Sequence, residues 1–153
     1  MGIRRGVAVT VAAGAAATGI AIPAPAGADA GGMVRGVVAI TNAVRARAGC
    51  GPVTANARLD HAAWVHSRDM ALRGYFSHGA TGVRVRAAGY RWASYGENIA
   101  WGQRSAGEVM DDWMSSPGHR ANILDCRFRN VGVAVVYDGR GVPYWTQDFA
   151  SPR

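Results

Sequence analysis

The last third of the chain carries the pattern that most restricts its fold. Val131, Val133 and Val135 alternate with Gly132, Ala134 and Val136, the period of two expected of a strand with one buried face. Tyr137-Asp138-Gly139-Arg140 follows with the Asp-Gly pair of a tight turn, and Val142–Phe149 returns as the hairpin partner. Pro143 has no N–H to give a ladder, which places the start of that return strand at an edge. A lone hairpin is marginal in water, so the preceding residues must supply its cover.

Those residues read mostly as helices. Met33–Ala48 sets Val34, Val37, Val38, Thr41 and Val44 on one stripe and stops at Gly49-Cys50-Gly51-Pro52. Ala55–Leu72 sets Leu59, Ala62, Ala63, His66 and Met70 on another, with Trp64 beside it and Gly74 beyond its end. Gly79–Ala88 is a short helix or turn closed by Gly89, and Trp92–Trp101 is a strand interrupted by Gly96. Ser105 and Glu108 have capping-box spacing and open a helix that buries Val109, Met110, Trp113 and Met114. Ser115-Ser116-Pro117-Gly118 breaks it, and His119–Leu124 makes a single helical turn. The order is helices, strand, helix, hairpin. The expected class is α+β, a small and mostly antiparallel sheet covered by helices.

Residues 1–30 have the layout of a secretory signal: Arg4 and Arg5, an uncharged apolar run from Val7 to Ile22, then Ala28-Asp29-Ala30 before a cut. The run is roughly 16 residues, Gly- and Ala-rich and closed by Pro23 and Pro25, too short and weak for a membrane span. No later stretch is apolar enough to serve as an anchor. The expectation is a secreted, extracellular and monomeric protein. Of its 153 residues, about 120 remain after cleavage, enough for one domain. The two cysteines, Cys50 and Cys126, lie beyond the cut, and in an oxidising compartment they form one disulfide closing a loop of roughly 75 residues.

The net charge is +7, and all 17 basic residues are Arg. Arg45, Arg47, Arg58, Arg68, Arg73, Arg84, Arg86 and Arg91 are scattered, with no basic run interleaved with aromatics. That argues against a nucleic-acid binder and fits a solvated basic face or attraction to an anionic envelope surface.

Chemistry concentrates at three breaks. His78 follows Tyr75-Phe76-Ser77 in a loop. Glu97 is a lone carboxylate in an apolar strand, which requires hydrogen bonds or a positive partner. His119 lies at the Pro117-Gly118 break. His61 reads as exposed, and His66, near the apolar stripe, as a hydrogen-bonded structural residue. His78, Glu97 and His119 can brace loops, form an acid–base set, or hold a divalent metal, zinc or calcium, with water in the fourth place. There is no His-Glu-x-x-His helix, no Gly-x-Ser-x-Gly elbow and no Gly-rich phosphate loop.

Asn42-Ala43-Val44-Arg45, Phe76-Ser77-His78, Gly96-Glu97-Asn98-Ile99-Ala100, Trp113–Leu124 and Tyr144-Trp145-Thr146-Gln147-Asp148-Phe149 occur in the order of five motifs of the CAP superfamily. The chain resembles that superfamily, also called SCP/PR-1-like (cysteine-rich secretory proteins, antigen 5 and pathogenesis-related 1), in its bacterial secreted branch. The resemblance implies one CAP/SCP-like domain over residues 31–153, an α–β–α sandwich with a central antiparallel sheet and a cleft. Many eukaryotic members place two His and two Glu there, able to bind a divalent metal. His78 matches the first His and Glu97 the Glu of the Gly-Glu-Asn motif. The second Glu falls at Ser116 and the second His at Tyr144, with His119 as a substitute imidazole. The implied ligand-contacting set is His78, Glu97, His119, Asn98, Ser116, Tyr144 and Gln147. Three functions stand open. One is a binding module for a lipid, peptide or envelope component. Another is a metal-assisted hydrolase with Glu97 as general base beside His78 and His119. The third is a structural or stress protein without catalysis.

Overall fold

The computed structural model describes residues 29–153. The signal segment expected at residues 1–30 lies outside them but for its last two residues. Helix α1 (Ala30–Arg47) leads to the short strand β1 (Thr54–Ala55) and helix α2 (Ala57–Arg73). Helix α3 (Thr81–Ala87) and strand β2 (Trp92–Trp101) follow, then helices α4 (Ala106–Ser115) and α5 (Pro117–Ile123). The hairpin of β3 (Asn130–Tyr137) and β4 (Pro143–Pro152) ends the chain.

The four strands are ordered β1-β3-β4-β2. β3 and β4 pair antiparallel, as do β2 and β4, while β1 pairs parallel to β3. This is an α+β fold with a small central sheet between helical layers. β1 is two residues long, too brief to show a period, so the helix expected from Ala55 overlaps its end. Asn56 separates the two, its Oδ1 accepting from Arg58 N at 3.0 Å as an N-cap.

Both faces of the sheet are covered. Val131, Val133 and Val135 of β3 and Trp145 and Phe149 of β4 pack with Val37 of α1 and Val109 and Trp113 of α4. The opposite face meets α2, where Ser67 Oγ donates to Thr146 Oγ1 across 2.8 Å. β3 therefore buries two faces rather than the expected one. Its Gly132 and Ala134 are small because α2 lies close above them; a Cβ on Gly132 would collide with the backbone of Leu59 and Asp60. That approach lets Asp60 Oδ1 accept from Val133 N at 3.0 Å.

Three local expectations are corrected. β4 lies in the middle of the sheet, not at an edge; Pro143 is tolerated as its first residue, on the last rung opposite Tyr137. β2 runs unbroken through Gly96, and its irregularity falls between Trp92 and Ser94. The break after α4 is the single residue Ser116, and α5 starts at Pro117, a residue suited to a first helical turn.

Cys50 and Cys126 form a disulfide, Cα–Cα 4.9 Å, joining the loop after α1 to the approach to β3. Arg45 braces the same junction from inside. It is fully buried, donating from Nε to Gly51 O at 3.0 Å, from Nη1 to Ile123 O and Asp125 O at 2.9 Å, and from Nη2 to Phe128 O at 3.2 Å. Burial lowers its pKa, offset in part by the charge of Asp125. In the sequence Arg45 is one more of the scattered arginines; its four carbonyl partners come from two separate stretches, Gly51 and residues 123–128.

Candidate functional site

Glu97 is the centre of a buried cluster. Alternation along β2 points its side chain to the α2 face, and that side chain is 3% exposed. Oε1 accepts from Thr81 Oγ1 at 3.0 Å and from His78 Nδ1 at 2.9 Å, which fixes the His78 proton on Nδ1. Oε2 pairs with an Nη of Arg84. Arg84 also reaches His78 O and Thr81 Oγ1 at 3.4 Å. Short helix α3 thus delivers two of the three partners and the loop before it the third. The positive partner that a lone carboxylate in an apolar strand requires is Arg84, which is absent from the site residues expected from the sequence. Its signal was its position three residues after Thr81 in a helix beginning just past His78.

Two further residues complete the cluster. His66 of α2 is buried, with Nε2 3.9 Å from Glu97 Oε1, beyond hydrogen-bond range and unpartnered. Burial lowers its pKa, opposed by the Glu97 charge. Asp148 of β4 is the cross-strand neighbour of Glu97 and is fully buried. Among the described residues no donor reaches either Asp148 oxygen. Burial first, and then the charge of Glu97, push its pKa well up. Burial and the neighbouring Glu97 carboxylate together favour the protonated form of Asp148.

His119 lies near His78 but is not hydrogen-bonded into that cluster. It sits half-buried on α5, and among the described residues its ring makes no hydrogen bond to Glu97 or His78. Burial lowers its pKa, and the nearby His78 lowers it further. Its ring lines a shallow hollow of about 250 Å³ with Phe76, Trp101, Trp113 and Ser116. Phe76 and Trp101 stand 48% and 53% exposed at this hollow. Tyr144, behind them, is buried and stacks on Trp101 with centroids 6.4 Å apart.

Asn98 and Gln147 are placed on the other face of the sheet, both fully buried. Asn98 Nδ2 donates to Gln147 Oε1 at 3.0 Å and to His119 O at 3.2 Å, and Asn98 Oδ1 accepts from Asn122 Nδ2 at 2.9 Å. Gln147 Nε2 continues to Thr41 Oγ1 at 2.9 Å. The network ties α5, and the His119 backbone, to β2, β4 and α1. Gly96 beside it has no room for a side chain, since a Cβ would lie 2.8 Å from Asn122 Oδ1. Among the described residues no three His, Cys, Asp or Glu side chains are grouped to hold a metal ion. No helix among them is long and apolar enough to cross a membrane.

Known proteins share this fold. A family model described as "CAP: Cysteine-rich secretory protein family" matches residues 38–149. The uncharacterized protein YkwD of Bacillus subtilis is 38% identical over 118 residues, 74% of this chain and 45% of that protein. The crystal structure of an extracellular protein containing a SCP domain from Bacillus anthracis superposes with TM-score 0.76 at 29% identity, covering 87% of this chain and 45% of that one. An outer surface protein of Borrelia burgdorferi has the same fold, TM-score 0.71 at 14% identity, over 76% of this chain and 90% of that one. The chain spans about half the length of the two Bacillus relatives. With its helix–sheet–helix layers and a family match running from α1 to β4, this chain belongs to the CAP, or cysteine-rich secretory protein, family.

Proposed function

We propose that this domain is a secreted binding module whose ligand seats in the hollow of Phe76, Trp101 and His119, while the Glu97 cluster braces the floor beside it. The observation carrying this reading is a contrast in accessibility. Two large aromatic side chains stand exposed beside His119, whereas Glu97 is sealed, with both oxygens engaged. A general base must reach the proton it takes, and the engaged oxygens of Glu97 do not fit that role.

The same contrast bears on metal. Arg84 supplies at Glu97 the positive charge a divalent cation would bring, and His78 turns its protonated Nδ1 to that carboxylate. This donor set does not fit resident zinc or calcium, and no step here runs through a metal. The hollow is too shallow to enclose a lipid. Aromatic faces flanking an imidazole suit a sugar ring or apolar peptide side chain, as in envelope glycopeptides. The extracellular Bacillus anthracis relative supports that setting.

Titration with soluble peptidoglycan fragments, followed by tryptophan fluorescence, tests the reading. Saturable binding should weaken about tenfold in Trp101→Ala and Phe76→Ala, with melting temperature held and no effect of EDTA. Binding indifferent to both variants would overturn it. Fragment cleavage abolished in Glu97→Gln at unchanged binding would put the hydrolase in its place. Binding lost to EDTA and restored by zinc or calcium would restore the metal site.

A further inference from the structure

A second concave surface gathers arginine and aromatic residues. Arg91 immediately precedes β2 and Arg153 immediately follows β4, and the antiparallel pairing of Trp92 with Pro152 sets them side by side. Arg153 N donates to Arg91 O at 3.1 Å. Arg86, in the last turn of α3, lays its guanidinium over Trp92, 4.4 Å from the ring centroid. These residues line a hollow of about 440 Å³ with Gly89 and Tyr90. A second hollow of about 380 Å³ shares Arg86 and Trp92 and extends to Tyr95 and Val83. Arg58 passes beside Gly89, its Cδ 3.7 Å from where a Cβ would stand.

No Asp or Glu lines either hollow. Among the described residues Arg73, Arg84, Arg127 and Arg140 pair with Asp or Glu, and Arg58, Arg86, Arg91 and Arg153 are among the arginines that do not. Like charges held side by side repel, a cost that a bound anion removes. The floor is fixed in advance. Trp92 Nε1 donates to Gly82 O at 3.0 Å, and Tyr95 packs against the indole with centroids 4.5 Å apart. Guanidinium forks match phosphate oxygens two at a time. Arg91 and Arg153 in the first hollow and Arg86 where the second joins it suit a narrow anionic chain, which enters a concavity that a flat bilayer does not.

We propose that this double hollow binds a linear polyol phosphate, a chain of phosphodiester-linked polyols and not a nucleic acid, through Arg86, Arg91 and Arg153. The surface is separate from the His119 hollow, so the two readings stand or fall independently. The probe is labelled poly(glycerol phosphate) of roughly ten units, with binding read by anisotropy over a salt series. Binding should saturate and weaken as salt rises. Its Kd should increase about tenfold or more in R86Q/R91Q/R153Q and stay within about twofold in the charge-matched control R35Q/R47Q/R120Q. R91Q/R153Q, altered only outside the helices, should weaken binding with melting temperature unchanged or raised. Equal losses in the control would mean diffuse attraction and overturn the site. So would binding no stronger than to neutral dextran, or tighter binding to phosphatidylglycerol vesicles or to oligothymidylate of equal charge.

Discussion

Asp148 and His66 show how single residues near Glu97 set the pH response of the whole domain. A carboxyl whose folded pKa is raised stabilises fully below its unfolded pKa, and that contribution is lost as pH climbs toward the raised value. An imidazole whose folded pKa is lowered acts in the opposite sense, its contribution being lost as pH falls below the ordinary histidine range. Unfolding by urea should therefore show an acid limb to which His66 contributes and an alkaline limb to which Asp148 contributes. Asp148→Asn, a neutral side chain of the same shape, should fold and flatten the alkaline limb, gaining on the wild type as pH rises. An unchanged limb in that variant would mean that Asp148 is not held protonated. Neither residue's state was readable from the chain. Asp148 stands two residues after Thr146 in an ordinary strand pattern, and only the register Glu97↔Asp148 puts two carboxyl groups side by side. His66 was legible as an inward-facing residue because its helical stripe is local, but its approach to Glu97 was not.

At the scale of elements, the junction of α1, α5 and β3 is held twice, by the Cys50–Cys126 disulfide and by Arg45. The disulfide joins residues separated by 76 positions, and its reduction should cost about 2–4 kcal/mol in urea unfolding. Native fold should persist after reduction because Arg45 still binds its carbonyls. Two free thiols in the oxidised, exported protein would contradict the pairing. Helices were the most legible elements, since stripes at three- and four-residue spacing and the Ser105/Glu108 cap are local signals, realised by Ser105 Oγ accepting from Glu108 N at 3.2 Å. The edge position expected for Pro143 failed because proline excludes only the rungs where an N–H is required, and a strand's first residue is not one. The one-sided burial expected of β3 failed because alternating large and small residues look the same whether the small face meets water or a close helix.

For the molecule as a whole, the expected export signal makes a direct prediction. Protein recovered outside the cell should begin at Gly31, as intact-mass measurement would show, and recovery of the full-length chain would remove the secretory reading. Cleavage there would take Ala30, the first residue of α1, and leave His78, Thr81, Arg84 and Glu97 in place. The domain would then present two unlike surfaces, an aromatic hollow at His119 and an arginine-lined one at Arg86 and Arg153.

By itself the sequence determined the α+β class, the sites of the turns, the pairing of the only two cysteines and the family, because each rests on local periodicity, on local breakers or on ordered motifs. Tertiary structure alone decided which charges meet. Arg84 on Glu97, Asp148 beside it and Arg45 among four carbonyls are contacts between distant segments, set by strand register and helix docking. A side chain's chemistry is written in the chain, but the dielectric and the neighbours that give it a role exist only once distant backbone has been brought within a few ångströms.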